Sequence, residues 1–161
     1  MLCSYPLQHE DFVHDMAFDS TGKRIATASS DHKIRIWEKK SKVEVGGSSM
    51  SHSGDTETIT EWELTDTLHQ HLTAVQRIQW ADPEFGAILA SSSYDKQVSI
   101  WEEVESKDFQ KKQWNWKLNF IQKEAILDIK FAPKHWGLTL AIAVADGTIV
   151  FQSAKALNNL T

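Results

Sequence analysis

His71, then Ser91 or Ser93, then Asp95 stand in an order that could support nucleophilic hydrolysis. A serine attacks a carbonyl only when a base takes its proton, a carboxylate orients that base, and donors receive the developing oxyanion. The context argues against that chemistry. The serines lie in Ser91-Ser92-Ser93 at the end of an apolar run, with no Gly-x-Ser-x-Gly elbow. The same residue types also occur a second time, as His9, Thr27 or Ser29, and Asp31. Each Asp is followed six residues on by Trp, at Trp37 and Trp101. A catalytic set does not normally appear twice at one spacing, whereas a structural hydrogen-bond set does. In the structural reading each Asp is a buried charge held by donors, and each indole N–H finds an acceptor where its ring is buried.

Other residues offer less. His69 and His71 are two apart, like ligands on one strand face, but no Cys or third His joins them. His14, His32 and His135 are scattered. No Gly-rich phosphate loop is present. Trp114, Trp116 and Lys117 could stack on a base, yet the acidic balance favours packing for them. The expectation is therefore no catalytic residue, no cofactor and no metal.

The elements that must position the two sets form a repeat. Val13-His14-Asp15-Met16-Ala17-Phe18 lies over Val75-Gln76-Arg77-Ile78-Gln79-Trp80 and over Ile126-Leu127-Asp128-Ile129-Lys130-Phe131. In each, an apolar residue is followed three and five positions on by others, the last two on one strand face. Second strands are expected at Arg24 to Thr27, Ile88 to Ser91 and Thr139 to Ile142, each leading to an Asp: Asp31, Asp95, Asp146. Third strands are expected at Lys33 to Trp37, Gln97 to Trp101 and Thr148 to Phe151. Outer strands are expected at Trp62 to Leu68 and Trp114 to Phe120. Short strands of this kind, punctuated by turn residues, make four-stranded propeller blades, so the fold class is all-β.

The expected division is repeat one 7–38, a disordered loop 39–61, repeat two 62–103, a charged loop 104–113 and repeat three 114–153. The first loop is Gly, Ser, Thr and charge, and its serines are read as a tolerated surface insertion before they are read as phosphorylation sites. Copy three departs from the pattern: Gln122 replaces the His, Ile142 and Val144 the hydroxyls, and Gln152 the Trp. That blade relies on packing, or carries a one-residue deletion after Ile149. Three blades cannot close a ring that typically needs about 4–8. The expectation is a partial chain, with a three-bladed protein completed by partners as the alternative.

Composition bounds the function. The 161 residues carry a net charge of −5, which argues against a sequence-blind grip on nucleic acid or anionic lipid. No apolar run reaches the roughly 18 residues of a membrane helix, and the opening MLCSYPLQHEDF lacks the basic and hydrophobic regions of a signal peptide. Cys3 is the only cysteine, so no internal disulfide forms, in keeping with a reducing compartment.

The two sets resemble those of WD repeats, in which a His, a hydroxyl, the turn Asp and the third-strand Trp hydrogen-bond together. On that resemblance the structural tetrads are His71, Ser91, Asp95, Trp101 and His9, Thr27, Asp31, Trp37. More specific words are Val13 to Asp19, the turn Asp82-Pro83-Glu84-Phe85-Gly86, Trp101-Glu102-Glu103, and Phe131-Ala132-Pro133-Lys134-His135-Trp136-Gly137-Leu138. Together these are similar to the N-terminal half of the Seh-type nucleoporins, homologues of the coat protein Sec-thirteen. The resemblance implies a non-enzymatic scaffold, part of an open six-bladed propeller completed by a blade from a helical nucleoporin partner. It implies the Y-shaped subcomplex of the nuclear pore, with its transport of mRNA and protein, and an amino-acid-sensing complex at the lysosomal or vacuolar surface that regulates TOR signalling. The acceptor region would be roughly Met1 to Trp37. The alternative is a COPII coat-type or other WD adaptor that binds peptides on a propeller face.

Overall fold

A computed structural model describes residues 7–43, 58–105 and 112–154. Three antiparallel sheets follow one another along the chain. The first blade has the order β1 (Val13–Phe18), β2 (Arg24–Ser29), β3 (Lys33–Val43), β4 (Thr58–His69). The second has β5 (Val75–Trp80), β6 (Ile88–Ser93), β7 (Gln97–Glu105), β8 (Lys112–Ile121). The third has β9 (Ile126–Phe131), β10 (Thr139–Val144) and β11 (Ile149–Ser153).

The ladders align the copies residue by residue. Ile25 pairs with Trp37, Leu89 with Trp101 and Leu140 with Gln152, so Gln152 stands at the Trp position without any deletion after Ile149. The register breaks once in each innermost pair, between Val13 and Asp15, between Val75 and Arg77, and opposite Ala143 and Val144. A bulge leaves one residue unpaired and bends the strand; its threefold recurrence is a mark of the repeat. The two longer turns, after β5 and after β9, each hold a single 3-10 turn, Pro83–Phe85 and Lys134–Trp136, closed by a glycine at φ 94° and 78°. A side chain is disfavoured at those angles, which is the reason for Gly86 and Gly137.

Three boundaries differ from the sequence expectation. The loop 39–61 is not disordered throughout: Lys39 to Val43 pairs with Thr58 to Trp62 as a continuation of the β3–β4 ladder. A two-stranded ribbon in water satisfies its backbone by pairing and needs no apolar side chains, so composition did not reveal it. Residues 44–57 lie outside the described residues. The charged loop 104–113 shortens likewise, β7 running to Glu105 and β8 starting at Lys112; residues 106–111 lie outside the description. Finally, the strands at 62–68 and 114–120 complete the blades before them, since β4 pairs with β3 and β8 with β7. The sequence repeats 62–103 and 114–153 therefore each straddle two blades.

Side chains alternate along each strand, so every sheet has two faces. One core lies between blades one and two, where Ala26, Ala28, Ile34 and Ile36 meet Val75, Ile78, Trp80 and Leu89. A second lies between blades two and three, where Ala90 and Val98 meet Ile126, Ile129, Leu140 and Ile142. Each large apolar side chain buried there contributes about 1.5–3 kcal/mol. Polar bonds pin the junctions: Asp15 Oδ2 accepts the Ile78 N–H at 3.0 Å, the Trp80 indole donates to the Ala17 carbonyl at 3.0 Å, and Gln79 Oε1 accepts the Phe131 N–H at 2.6 Å.

Candidate functional site

The Asp of each tight turn is placed by the same local geometry. The following residue adopts positive φ, 67° at His32, 63° at Lys96 and 86° at Gly147. That reversal aims the next backbone N–H at the carboxylate: Lys33, Gln97 and Thr148 donate to Oδ1 of Asp31, Asp95 and Asp146 at 3.0, 2.9 and 2.9 Å. Asp and Asn side chains commonly hold turns this way.

The second carboxylate oxygen separates the blades. In blade two, Asp95 Oδ2 faces His71 Nδ1 at 3.2 Å and accepts the Leu72 N–H at 3.2 Å. His71 Nε2 lies 2.8 Å from Ser91 Oγ, and the Trp101 indole donates to that oxygen at 3.0 Å. With the ring proton on Nδ1, every group is satisfied: Nδ1–H donates to Asp95, and the Ser91 hydroxyl donates to Nε2 while accepting from Trp101. Blade one repeats the chain of bonds, His9 Nδ1 to Asp31 at 2.9 Å, His9 Nε2 to Thr27 Oγ1 at 2.8 Å, and Trp37 to Thr27 at 3.1 Å. In blade three Asp146 keeps only the turn bonds, to the Thr148 N–H and hydroxyl.

The structure also chooses between the paired hydroxyl candidates. Ser91 and Thr27 join the His and Trp. Ser93 instead bonds the carbonyls of Thr73 and Ala74, and Ser29 the carbonyl of Asp11. Those bonds tie the segment before each inner strand to the second strand.

Serine, His and Asp thus stand in triad order, but Ser91 is 0% exposed and its oxygen already accepts the Trp101 indole N–H. A substrate carbonyl cannot reach it. Among the described residues no group of three or more His, Cys, Asp or Glu could hold a metal ion; His69 is exposed while His71 is buried. Trp114 is buried and meets Trp80 edge-on at 5.6 Å, so of the proposed stacking residues it serves the core.

Arg35 is a residue that sequence reasoning missed. It is 7% exposed, and Nη1 donates to Asp31 Oδ2 at 2.9 Å beside His9. Blade two has Ser99 at that ladder position, facing Ser91 as Arg35 faces Thr27. The available signal was slight, a cation between Ile34 and Ile36 four residues after Asp31.

The electrostatics follow from burial. Desolvation holds the pKa of both His9 and His71 below the ordinary 6.5, against the upward pull of their Asp partners. Burial pushes the Asp31 carboxyl upward, but the His9 hydrogen bond and the Glu10 and Lys33 N–H groups outweigh it and hold the carboxyl well below 3.8. All three shifts have one sign for stability. An unfolded chain binds more protons than the folded one as pH falls through about 6.5 for the histidines and through 3.8 for Asp31. Stability is therefore lost on acidification, by up to about 1.4 kcal/mol per pH unit per group. Thermal midpoints should fall from pH 7 to pH 5, and His71→Gln should flatten that fall; a midpoint that rises in this window contradicts the neutral-histidine assignment.

Two blade faces are uncovered among the described residues. Blade one shows Phe12, Val13, Met16 and Phe18, and blade three shows Leu127, Ile149 and Phe151. Trp136 is exposed on the turn beside Phe151. β11 is also an edge strand, with no fourth strand beyond it in the described sheet. A cleft of about 420 Å³ runs between the turns of the three blades, lined by Phe18, Trp80, Pro83, Phe131, Pro133 and Lys134 among others.

The family profile described as WD domain, G-beta repeat matches residues 2–38 and 62–102. It does not extend over the third blade, which has lost the His, hydroxyl and Trp. Nucleoporin SEH1 of Homo sapiens and that of Xenopus tropicalis are each 37% identical to the chain over 163 aligned positions, 98% of this chain and 41% of theirs. Nucleoporin SEH1 of Danio rerio is 36% identical over 98% of this chain and 40% of its own length. The chain thus spans about two-fifths of the length of these curated relatives. No helix among the described residues is long and apolar enough to cross a membrane.

Proposed function

As a member of the WD-repeat family and, within it, of the Seh-type nucleoporins, this chain is, we propose, a non-enzymatic scaffold subunit of the nuclear pore. The carrying observation is the 37% identity to Nucleoporin SEH1 along 98% of the chain. In the proposed role the tetrads His71, Ser91, Asp95, Trp101 and His9, Thr27, Asp31, Trp37 are structural clamps. They hold the blade turns rigid, and partners engage the open faces and edges instead. An edge strand offers unpaired N–H and C=O groups to a foreign strand, so strand addition is the mechanism that a helical scaffold partner donating a blade would use. The acceptor region that the family resemblance implies, roughly Met1 to Trp37, includes the exposed Val13, Met16 and Phe18 face; residues 1–6 lie outside the described residues. The finer reading places the protein in the Y-shaped pore subcomplex at the nuclear envelope, with roles in mRNA and protein transport. It adds a second residence in the TOR-regulating complex on the cytoplasmic face of the lysosome or vacuole. Neither role calls for direct nucleic-acid contact, a cofactor or a membrane span.

The cleft lined by Phe18, Trp80, Pro83 and Phe131 favours a second reading, a COPII coat-type or other WD adaptor that takes a peptide on its propeller face. Affinity isolation of the tagged chain from cells separates the two. Recovery of a nucleoporin with a helical stack is the expected result; recovery of vesicle-coat cage protein alone would sink the pore reading.

A further inference from the structure

We propose that Arg35 turns the blade-one clamp into an acid-released latch, in which a protonated His9 is expelled from Asp31 and frees the segment from Leu7 to Glu10. Three groups crowd one point. His9 Nδ1 and Arg35 Nη1 each lie 2.9 Å from Asp31 Oδ2, and they lie 2.6 Å from one another. A guanidinium is always charged and brings only N–H donors. A neutral imidazole has one nitrogen without a proton and can settle its tautomer beside that donor. Thr27 accommodates either choice, because its hydroxyl has the Arg35 carbonyl at 3.4 Å as a second acceptor when Nε2 carries the ring proton. An imidazolium has no bare nitrogen. It sets a second cation against Arg35 with a single carboxylate between them. The three side chains are at most 9% exposed, so water does little to screen the repulsion.

The neighbouring groups do not offset that charge. Lys33 of β3 is a further cation that disfavours a charged ring, and the exposed Glu10 carboxylate holds it at 3.0 Å. β2 faces the ring with the uncharged Thr27, and β4 sets Thr67 and the exposed His69 opposite Arg35 and Lys33. His32 of the turn is exposed. Blade two has no such cation: Ser99 stands at the ladder position of Arg35, so a protonated His71 has Asp95 to itself. The leading segment depends on the His9 ring. The His9 side chain is 2% exposed, whereas Gln8 and Glu10 on either side are exposed. Gln8 is held at φ 50°, a left-handed conformation uncommon for a residue with a side chain. The Glu10 N–H bonds the same Asp31 oxygen at 3.2 Å, so that amide reports the loss of the ring. Asp11 and Phe12 keep separate ties, their carbonyls accepting from the Ser29 hydroxyl and the Ser30 N–H. The latch therefore holds at neutral pH and opens as pH falls below 6.5, where a freed ring takes up its proton.

This inference concerns the chain alone and does not rest on the pore reading. Histidine titration by NMR and amide exchange on the purified chain test it. Relative to its intrinsic exchange rate, the Glu10 amide should lose about tenfold protection between pH 7 and pH 5, the scale of one proton taken up on opening. In Arg35→Gln the His9 titration should move upward and that loss should shrink, with the His71 titration unmoved. Arg35→Lys keeps the charge and should keep both wild-type behaviours. Where Arg35→Gln fails to fold, His9→Gln serves instead: a side chain that cannot take up a proton should leave Glu10 protection level over the same range. A His9 titration that stays or falls in Arg35→Gln, two histidines that move together, or an acid loss at Glu10 undiminished in His9→Gln would each overturn the proposal.

Discussion

Asp95→Ala should lower the unfolding free energy by about 3–5 kcal/mol, the range for breaking a buried, hydrogen-bonded charge network. The carboxylate side chain is 7% exposed and serves three donors, the His71 ring and the N–H groups of Leu72 and Gln97. Removing it strands two backbone donors and frees the ring that fixes Ser91 and, through Ser91, Trp101. Asp146→Ala is the internal control. That Asp occupies the same turn position but is exposed, and its partners are the Thr148 N–H and hydroxyl alone. Its loss should stay within about 1 kcal/mol, as for most surface changes. Chemical denaturation of both variants checks the contrast. Equal effects would mean that the bonds to His71 and Leu72 contribute nothing.

Trp80→Ala comes next, at about 3–5 kcal/mol for a truncated core aromatic. The ring is 9% exposed, packs edge-on against Trp114 at 5.6 Å, and lies under the Arg24 guanidinium at 4.8 Å. Arg24 also holds Glu103 at 2.9 Å, so the cation is fixed over the ring by a residue of the second blade. The indole N–H reaches across the junction to Ala17. The variant should therefore loosen blade one from blade two, and amide exchange should speed up in β1 and β5 ahead of β10. Trp80→Phe keeps most of the packing and loses the cross-junction bond, for about 1 kcal/mol. Uniform acceleration across all three sheets in Trp80→Ala would place the loss in global stability and not in the junction.

The strand pattern was legible because alternation and turn residues act over a few positions. All three inner strands begin and end where the sequence places them, Val13–Phe18, Val75–Trp80 and Ile126–Phe131. Pairing was not legible. Nothing in Trp62 to Leu68 states that it lies beside β3 and not beside β5, since that choice is made by long-range contact. The ribbon at Lys39 to Val43 stayed hidden because backbone hydrogen bonds between exposed strands leave little compositional trace. At the clamps, residue types and spacing placed the His, Asp and Trp positions, while Ser91 and Ser93, two apart on one strand face, were separated by which of them lies level with His71 and Trp101. Ser91 faces the ring; Ser93 turns to the Thr73 and Ala74 carbonyls. Arg35 was lost to the alternation rule itself, because a charge between two isoleucines reads as solvent-facing until its Asp31 partner is seen.

In the proposed role, clamps hold the blades and open faces bind. Amide hydrogen exchange across the chain, free and then bound to the captured scaffold protein, tests that division most directly. Protection on binding should appear in Val13–Phe18 and Ile149–Ser153, with the turn from Tyr94 to Gln97 unchanged. Protection confined to the His71, Asp95 and Trp101 region, with both open faces exchanging as before, would contradict it.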